Sequence, residues 1–342
     1  MYKKNLKDID VIAVSFGKRF SGINASMLAV IPEQAKLVNI VGMGFHLNSK
    51  EIETIRFRDF LFKCWRDKWR IWHARRNIDM LIGIILRYVF RYKIKLLFTS
   101  ASQRKLTNYT KFLYTKMDSV IATTISGGKF LESKYDVVYH GIDTSKFKPL
   151  ANNIVEKKIG FINRIRKQKG AENFIDAVIK VLPKYPNWSA ELYGETTPNN
   201  IDFEKKLKDK VKNAGLENRI LFKGFINYND IPKIYQTCSI LTCLSHVEGF
   251  GLPCLEAMAS KCAVIATKTG VWKEIIEDGK NGYLVDCNSS EQVAEKLEIL
   301  MSDDDLRHQI AQNGYNLVTS KYTIQKEAEG IQKVYDKLLS NI

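Results

Sequence analysis

The chain has 342 residues, more than one hydrophobic core ordinarily serves, so two domains of about 150 residues are expected. Its composition is that of a globular protein, and its longest apolar stretch, residues 78–90, is broken by Asp79 and Arg87 and falls short of the roughly 20 apolar residues a membrane-spanning helix needs. The net charge of +16 is lopsided: residues 1–150 carry 27 Lys and Arg against 12 Asp and Glu, a net of +15, whereas residues 151–342 carry 26 against 25. The polar N-terminus runs directly into an apolar strand at residue 9 with no signal-peptide pattern, so a cytoplasmic location is expected. Six cysteines (Cys64, Cys238, Cys243, Cys254, Cys262 and Cys287) show no metal-ligand spacing and read as buried thiols rather than disulfides or zinc ligands.

In the first half, apolar runs suited to buried parallel strands recur at residues 9–16, 37–42, 70–74, 95–100, 119–124 and 136–140. Longer amphipathic stretches separate them, which is the pattern of a doubly wound α/β domain. The turn Gly17-Lys-Arg-Phe-Ser-Gly22 after the first strand could set Gly22 and Ile23 against a phosphate, although a plain tight turn fits the spacing equally well. Residues 56–95 alternate cations and aromatics, which suits an anionic lipid surface, where Trp and Tyr sit at headgroup level, better than a nucleic acid. A helix face whose aromatics point into the core would produce part of the same pattern. Ligands of open α/β sheets bind at the carboxyl ends of strands, which makes Arg75, Gln103 and Arg104 acceptor-side candidates.

The linker is read at residues 141–157, with Pro149 marking the break. A strand at residues 158–163 leads into Arg164-Ile-Arg-Lys-Gln-Lys169-Gly, whose four cations before a helix at residues 171–182 call for something negative. Arg164 can fork onto two phosphate oxygens and Lys169 can supply a point charge. Strands at residues 188–194 and 219–224 end in Gly194 and Gly224, which let a ring approach the backbone and make Phe225 and Ile226 candidates to border a nucleobase. Asp303-Asp-Asp305 follows no strand and opens a helix, so capping is the better reading than metal binding. A final amphipathic helix spans residues 323–339.

Residues 245–256 read Ser-His-Val-Glu248-Gly-Phe250-Gly251-Leu252-Pro-Cys-Leu-Glu256 after an apolar strand. The glycines permit a tight turn, Pro253 suits the first helical position, and the free N–H groups of Gly251 and Leu252 favour a phosphate. Two carboxylates flanking a phosphate cradle would repel it, so they are matched to hydroxyl groups instead. Phosphate between hydroxyls describes a nucleotide-sugar.

This stretch, with the Ala-Met-Ala-Ser-Lys-Cys-Ala-Val-Ile-Ala-Thr and Glu274-Ile-Ile-Glu-Asp-Gly-Lys-Asn-Gly-Tyr-Leu-Val that follow, resembles the Glu-x7-Glu region of the retaining glycosyltransferases of family four. Trp72-His-Ala-Arg-Arg-Asn77, Thr99-Ser-Ala-Ser-Gln-Arg104, residues 117–124 and His140-Gly-Ile-Asp look like the lipopolysaccharide-core mannosyltransferase branch of that family. The resemblance implies a GT-B architecture of two Rossmann-like domains facing a cleft: residues 1–148 for the acceptor, 149–322 for the nucleotide-sugar, and 323–342 crossing back to the first domain. It implies retaining transfer of a hexose, mannose from GDP-mannose, onto the Kdo inner core of lipid A. The enzyme would sit peripherally on the inner face of the inner membrane, with no metal, no other cofactor and no nucleic-acid partner.

The same resemblance implies that Arg164 and Lys169 bind the donor diphosphate and that Glu248 bonds the donor sugar. Gly22, Gly194, Phe225, Phe250, Gly251, Leu252 and Glu256 complete the donor side, Glu256 on the ribose. The family's first-domain histidine is absent from residues 99–104, and His73 is the candidate to replace it, with a structural His73 as the alternative. His140 reads as structural. Thr269-Gly-Val-Trp-Lys-Glu274 departs from the family's usual Gly-Gly. A UDP-sugar transferase, a GT-B nucleotide-sugar epimerase and a basic nucleic-acid-binding protein are the competing readings. The last leaves the paired glutamates and the cationic loop unexplained.

Overall fold

The computed structural model of the chain describes residues 6–62, 68–103, 105–150 and 156–340. It contains two units, one built from Met1–Gly141 and Thr323–Ile342, the other from Ile142–Tyr322. The division falls at Gly141 rather than at residue 148, because the intervening residues pack with the second unit. Ile142 N–H bonds to the Tyr322 carbonyl at 2.8 Å, and the Phe147 ring meets Tyr235 edge-on at 5.8 Å.

The first unit is a six-stranded sheet of β1 (Val11–Ser15), β2 (Ile40–Gly44), β3 (Arg70–Ala74), β4 (Ile94–Ser100), β5 (Ser119–Ala122) and β6 (Asp136–Val137). Its order is β2-β1-β3-β4-β5-β6, with parallel pairing throughout. β1 and β3 are buried along their whole length, as continuous apolar strands covered on both faces must be. One face is covered in part by the helix Gly22–Gln34 and by the terminal helix Ile324–Ser340, whose Ile324, Ala328, Ile331, Val334, Tyr335 and Leu338 recur at helical spacing and are buried. The other face carries the helix Asn77–Tyr88.

The second unit holds β7 (Glu156–Ile162), β8 (Ser189–Tyr193), β9 (Ile220–Gly224), β10 (Cys238–Cys243), β11 (Ala263–Thr267) and β12 (Tyr283–Val285). The order is β12-β11-β10-β7-β8-β9, again all parallel. In each sheet the winding reverses about the first strand: the chain leaves β1 toward β2 and returns on its other side as β3, and leaves β7 toward β8 and returns as β10. Such reversals open a crevice beyond the strands' carboxyl ends, where ligands of open α/β sheets bind.

The basic-aromatic stretch divides between two roles. Phe60, Trp72 and Tyr92 are core residues, whereas Phe62, Tyr88, Val89 and Phe90 are exposed, Phe62 by 82% and Val89 by 68%. Residues 63–67, with Cys64, lie outside the described residues. Cys238, Cys243, Cys254 and Cys262 are buried free thiols and Cys287 is half-buried and free. Asp303 caps the helix Asp304–Lys321, accepting from the Leu306 N–H at 2.8 Å, as the capping reading requires.

Candidate active site

The crevice of the second unit is walled by the loop after β7, residues 163–170, and the loop after β10, residues 244–251. Three contacts lock them together: the His246 N–H donates to the Gln168 carbonyl at 2.9 Å, Gly170 lies against the Leu244 backbone, and Lys169 Nζ reaches Glu248 Oε2 at 2.9 Å. The last pair joins the two motifs read in the sequence, 79 positions apart, into one charged constellation. Both side chains are part-buried, the lysine 27% and the glutamate 18% exposed, so the ammonium remains reachable by a second anion. Arg164 is exposed at the same strand end with its backbone N–H on Asn163 Oδ1. A diphosphate here would meet one guanidinium fork and one ammonium.

The β10 loop is held from beneath. Thr267 and Thr269 both donate their hydroxyls to the Ser245 carbonyl, at 2.6 and 3.0 Å, and the Trp272 indole N–H donates to the Gly251 carbonyl at 2.9 Å. Gly251 has φ +94°, and a β-carbon there would stand 2.3 Å from Trp272 Nε1. Only glycine fits this turn, which presents Leu252 as the first residue of the helix Leu252–Ala259. Trp272 lies in the segment, residues 269–274, that departs from the Gly-Gly pattern.

Glu256 is buried within that helix. Its Oε2 accepts the Tyr235 hydroxyl at 2.9 Å, while Oε1 has no hydrogen bond among the described residues. Burial raises its pKa to about 7, against a smaller lowering by the Tyr235 hydrogen bond. Gly194, with φ +150°, lies against the Asn163 backbone, and Phe225 beyond β9 is 71% exposed. Phe250 is buried, between the part-exposed turn and the helix that follows it. An open pocket of about 320 Å³ beside the cationic loop is lined by Arg166, Lys167, Gln168, Thr197, Asn199 and Asn200.

In the first unit the expected residues separate. His73 is 1% exposed, with Nδ1 on the Tyr335 hydroxyl and Nε2 on Thr99 Oγ1, each at 2.7 Å. Burial and then the nearby Arg75 charge lower its pKa well below the ordinary histidine value. With both nitrogens engaged and the ring held neutral, His73 ties the terminal helix to the sheet, which corrects the catalytic expectation. Arg75 is likewise buried, its charge facing Glu327 and Tyr335 of that helix, and it is not an acceptor-side group. Glu327 also takes His140 Nδ1 and the Gly141 N–H, both at 2.8 Å, so His140 is structural.

Gln103 spends its amide on Thr124 and Ser126. Arg104 lies outside the described residues. Gly22 opens the helix after β1, exposed and with open space beside it. The residue that sequence reasoning passed over is Arg76, one position beyond Arg75: its guanidinium reaches Ser15, Ser21 and Asn24 around the β1 loop. Adjacent residues leaving a strand face opposite ways, and that alternation was the available signal.

Comparison with known proteins places this arrangement. A family model described as "Glycosyl transferases group 1" matches residues 143–317. The chain is 34% identical over 353 residues to a lipopolysaccharide core biosynthesis mannosyltransferase, LpsB, of Rhizobium meliloti (strain 1021), covering 98% of this chain and 99% of the relative. It is 36% identical to LpcC of Rhizobium leguminosarum bv. viciae, which carries the same description, over 98% of this chain and 99% of that one. Among solved structures, the C-terminal domain of a group 1 glycosyl transferase (LpcC) from Francisella tularensis is 55% identical, covering 54% of this chain and all of that one with a TM-score of 0.51. Anabaena Alr3699/HepE in complex with UDP matches 96% of this chain and 100% of its own with a TM-score of 0.83 at 19% identity, which shows the shared GT-B fold. With its family model spanning the second unit and its full-length relatives spanning both, the chain belongs to the group 1 glycosyltransferases.

Proposed function

We propose that the enzyme transfers mannose from GDP-mannose, with retention, onto the Kdo inner core of lipid A. The contact that carries the reading is the Lys169–Glu248 pair at the β7/β10 reversal, which sets a phosphate-seeking cation beside a hydroxyl-seeking carboxylate. The near-full-length similarity to two lipopolysaccharide core mannosyltransferases supports the sugar and the acceptor.

In this reading Arg164 and Lys169 carry the charge that develops on the departing diphosphate, where preorganised cations contribute most, and no metal ion takes part. Diphosphate entry gives Lys169 a second anionic partner, and Glu248 turns toward a sugar hydroxyl. Glu256 offers Oε1 to the ribose, and the N–H groups of Gly251 and Leu252 face a phosphate oxygen. The lipid-linked acceptor brings the enzyme to an anionic membrane surface. Supporting this are the exposed Tyr88, Val89 and Phe90 with Arg91 at the end of one helix, and Tyr109 and Phe112 on the helix Asn108–Tyr114 packed beside it.

The test offers purified enzyme labelled GDP-mannose, UDP-glucose or other nucleotide-sugars with Kdo-lipid A, with and without chelator, and repeats it with Glu248→Ala. Transfer from GDP-mannose alone, insensitive to chelator and lost in the variant, is the expected result. Transfer from a UDP-sugar would move the enzyme to another step of core assembly. Absence of turnover with every donor would remove the proposal.

A further inference from the structure

We infer that the pocket between the loops after β7 and β8 is a second oxyanion site of the second unit, one that takes a phosphate monoester apart from the donor diphosphate. It goes beyond the proposed function, because the sheet order β10-β7-β8 sets the donor crevice on one side of the β7 loop and this pocket on the other. The pocket measures about 320 Å³ and is lined by Arg166, Lys167 and Gln168 from one loop and Thr197, Asn199 and Asn200 from the next. That volume falls within the range of ligand pockets, roughly 300 to 1,000 Å³. Its lining holds two cations and no carboxylate.

These cations differ from their neighbour in having no counter-ion. Lys169 pairs with Glu248, whereas Arg166 and Lys167 make no ion pair and no side-chain hydrogen bond among the described residues. Arg166 is half-buried, and its Nε is closed off from solvent without an acceptor. A buried donor left unmatched carries the full cost of its desolvation, which an anion in the pocket would relieve. Glu195 and Asp202, the exposed carboxylates of the next loop and the helix after it, form no ion pair with either cation. Burial and then the Lys167 charge lower the His246 pKa, so the ammonium meets repulsion there and not compensation.

The donors are held in place by backbone. The Ile165 N–H donates to the Glu195 carbonyl at 3.2 Å, which joins the two loops, and the Ile165 side chain is buried in the core. The Lys169 and Gly170 N–H groups close the β7 loop on the Arg166 and Lys167 carbonyls, each at 3.0 Å. Asn200 donates through Nδ2 to Thr197 Oγ1 at 2.7 Å and through its N–H to the Thr197 carbonyl at 2.8 Å. The Thr197 hydroxyl therefore accepts from Asn200 and has its own proton to give. A guanidinium, an ammonium and a hydroxyl spread over two loops suit a group with three oxygens better than a planar carboxylate. A phosphate monoester brings those oxygens with a charge of roughly −1.5 to −2 at pH 7, matching the two cations.

The site rests on the second unit alone, and the proposed function enters only in tracing the phosphate to the acceptor. The test is calorimetric titration of inorganic phosphate into the chain saturated with the nucleoside diphosphate it binds, GDP or UDP, so that the donor crevice is filled. The wild-type chain should take up one further phosphate, and Arg166→Gln and Thr197→Val should each weaken that uptake, the first by about tenfold or more, with nucleotide affinity within twofold of wild type. Turnover then separates two sources, using a Kdo-lipid A acceptor with its phosphate and the same acceptor with the phosphate removed. If the phosphate belongs to the acceptor, Arg166→Gln raises the KM of the phosphorylated form alone; if it is a free phosphate, both acceptor KM values stay as in wild type. No further phosphate on the nucleotide-loaded wild type, or uptake within twofold of wild type in both variants, would overturn the site. Arg166-dependent phosphate uptake in a chain that transfers no mannose would discard the proposed function and keep the site.

Discussion

Glu256 and Gly251 show how much of the donor crevice is decided at single atoms. Glu256 has a pKa of about 7 in the folded chain against an ordinary 4.5, because burial penalises its charge. A carboxyl raised in this way stabilises the fold fully below pH 4.5, and that contribution is lost as pH rises through about 7. Glu256→Gln is therefore expected to remove a slope of up to ~3 kcal/mol from wild-type unfolding free energy between those limits, read as the difference between two urea series across pH. Parallel pH profiles would mean the carboxyl is solvated. Gly251→Ala meets both a left-handed φ and the Trp272 indole, and should cost about 1–3 kcal/mol with a change in tryptophan emission. Unaltered stability would show that the turn relaxes at no expense.

At the scale of elements, the loops after β7 and β10 act as one device through Lys169 and Glu248. Lys169→Ala is expected to lower kcat/KM by about a hundredfold or more while leaving the midpoint of unfolding nearly unchanged, since a part-exposed pair contributes little to stability. Equal losses in activity and stability would make the pair structural. The terminal helix is tied by a polar chain from Gln34 through Tyr335 and His73 to Thr99. Tyr335→Phe strands two buried partners and should destabilise the first unit by about 1–3 kcal/mol in denaturant unfolding. A neutral outcome would mean that water replaces the hydroxyl.

The same elements separate what was legible in the sequence from what was not. All six strands of the first unit and the four read in the second overlap the apolar runs. The overlap is plainest for β1, β3 and β10, whose burial along their whole length leaves an unbroken signature, and least so for the edge strands β6 and β9, which are part-exposed. The Glu-x7-Glu stretch and the Arg164–Lys169 loop were legible as motifs, and their convergence follows from the order of winding. His73 and Arg75 were misplaced because their partners come from the terminal helix, 262 positions away for His73, and no local pattern carries that contact. Arg76 was missed because the choice between two adjacent arginines depends on which face of the sheet each leaves.

For the whole molecule, the first half's excess of 27 cations over 12 anions predicts salt-sensitive attachment to anionic vesicles. Binding should fall steeply between about 50 and 500 mM salt as the screening length shrinks from roughly 14 to 4 Å. Val89→Asp with Phe90→Ser should weaken it about tenfold further at fixed salt, by cosedimentation, if those side chains enter the headgroup layer. Equal binding to neutral and anionic vesicles would reject the electrostatic part of the attachment.

The first unit is also discontinuous, closed by a helix that the ribosome delivers only after the entire second unit. Vectorial synthesis therefore inverts the apparent order: the part begun first is completed last. Until Ile324–Ser340 emerges, the part of one sheet face that the helix Gly22–Gln34 leaves bare stays uncovered, with the apolar side chains that the terminal helix would cover open to chaperones. A premature stop near residue 320 would remove part of a core, and its product should be found with the degradation machinery rather than as a trimmed enzyme.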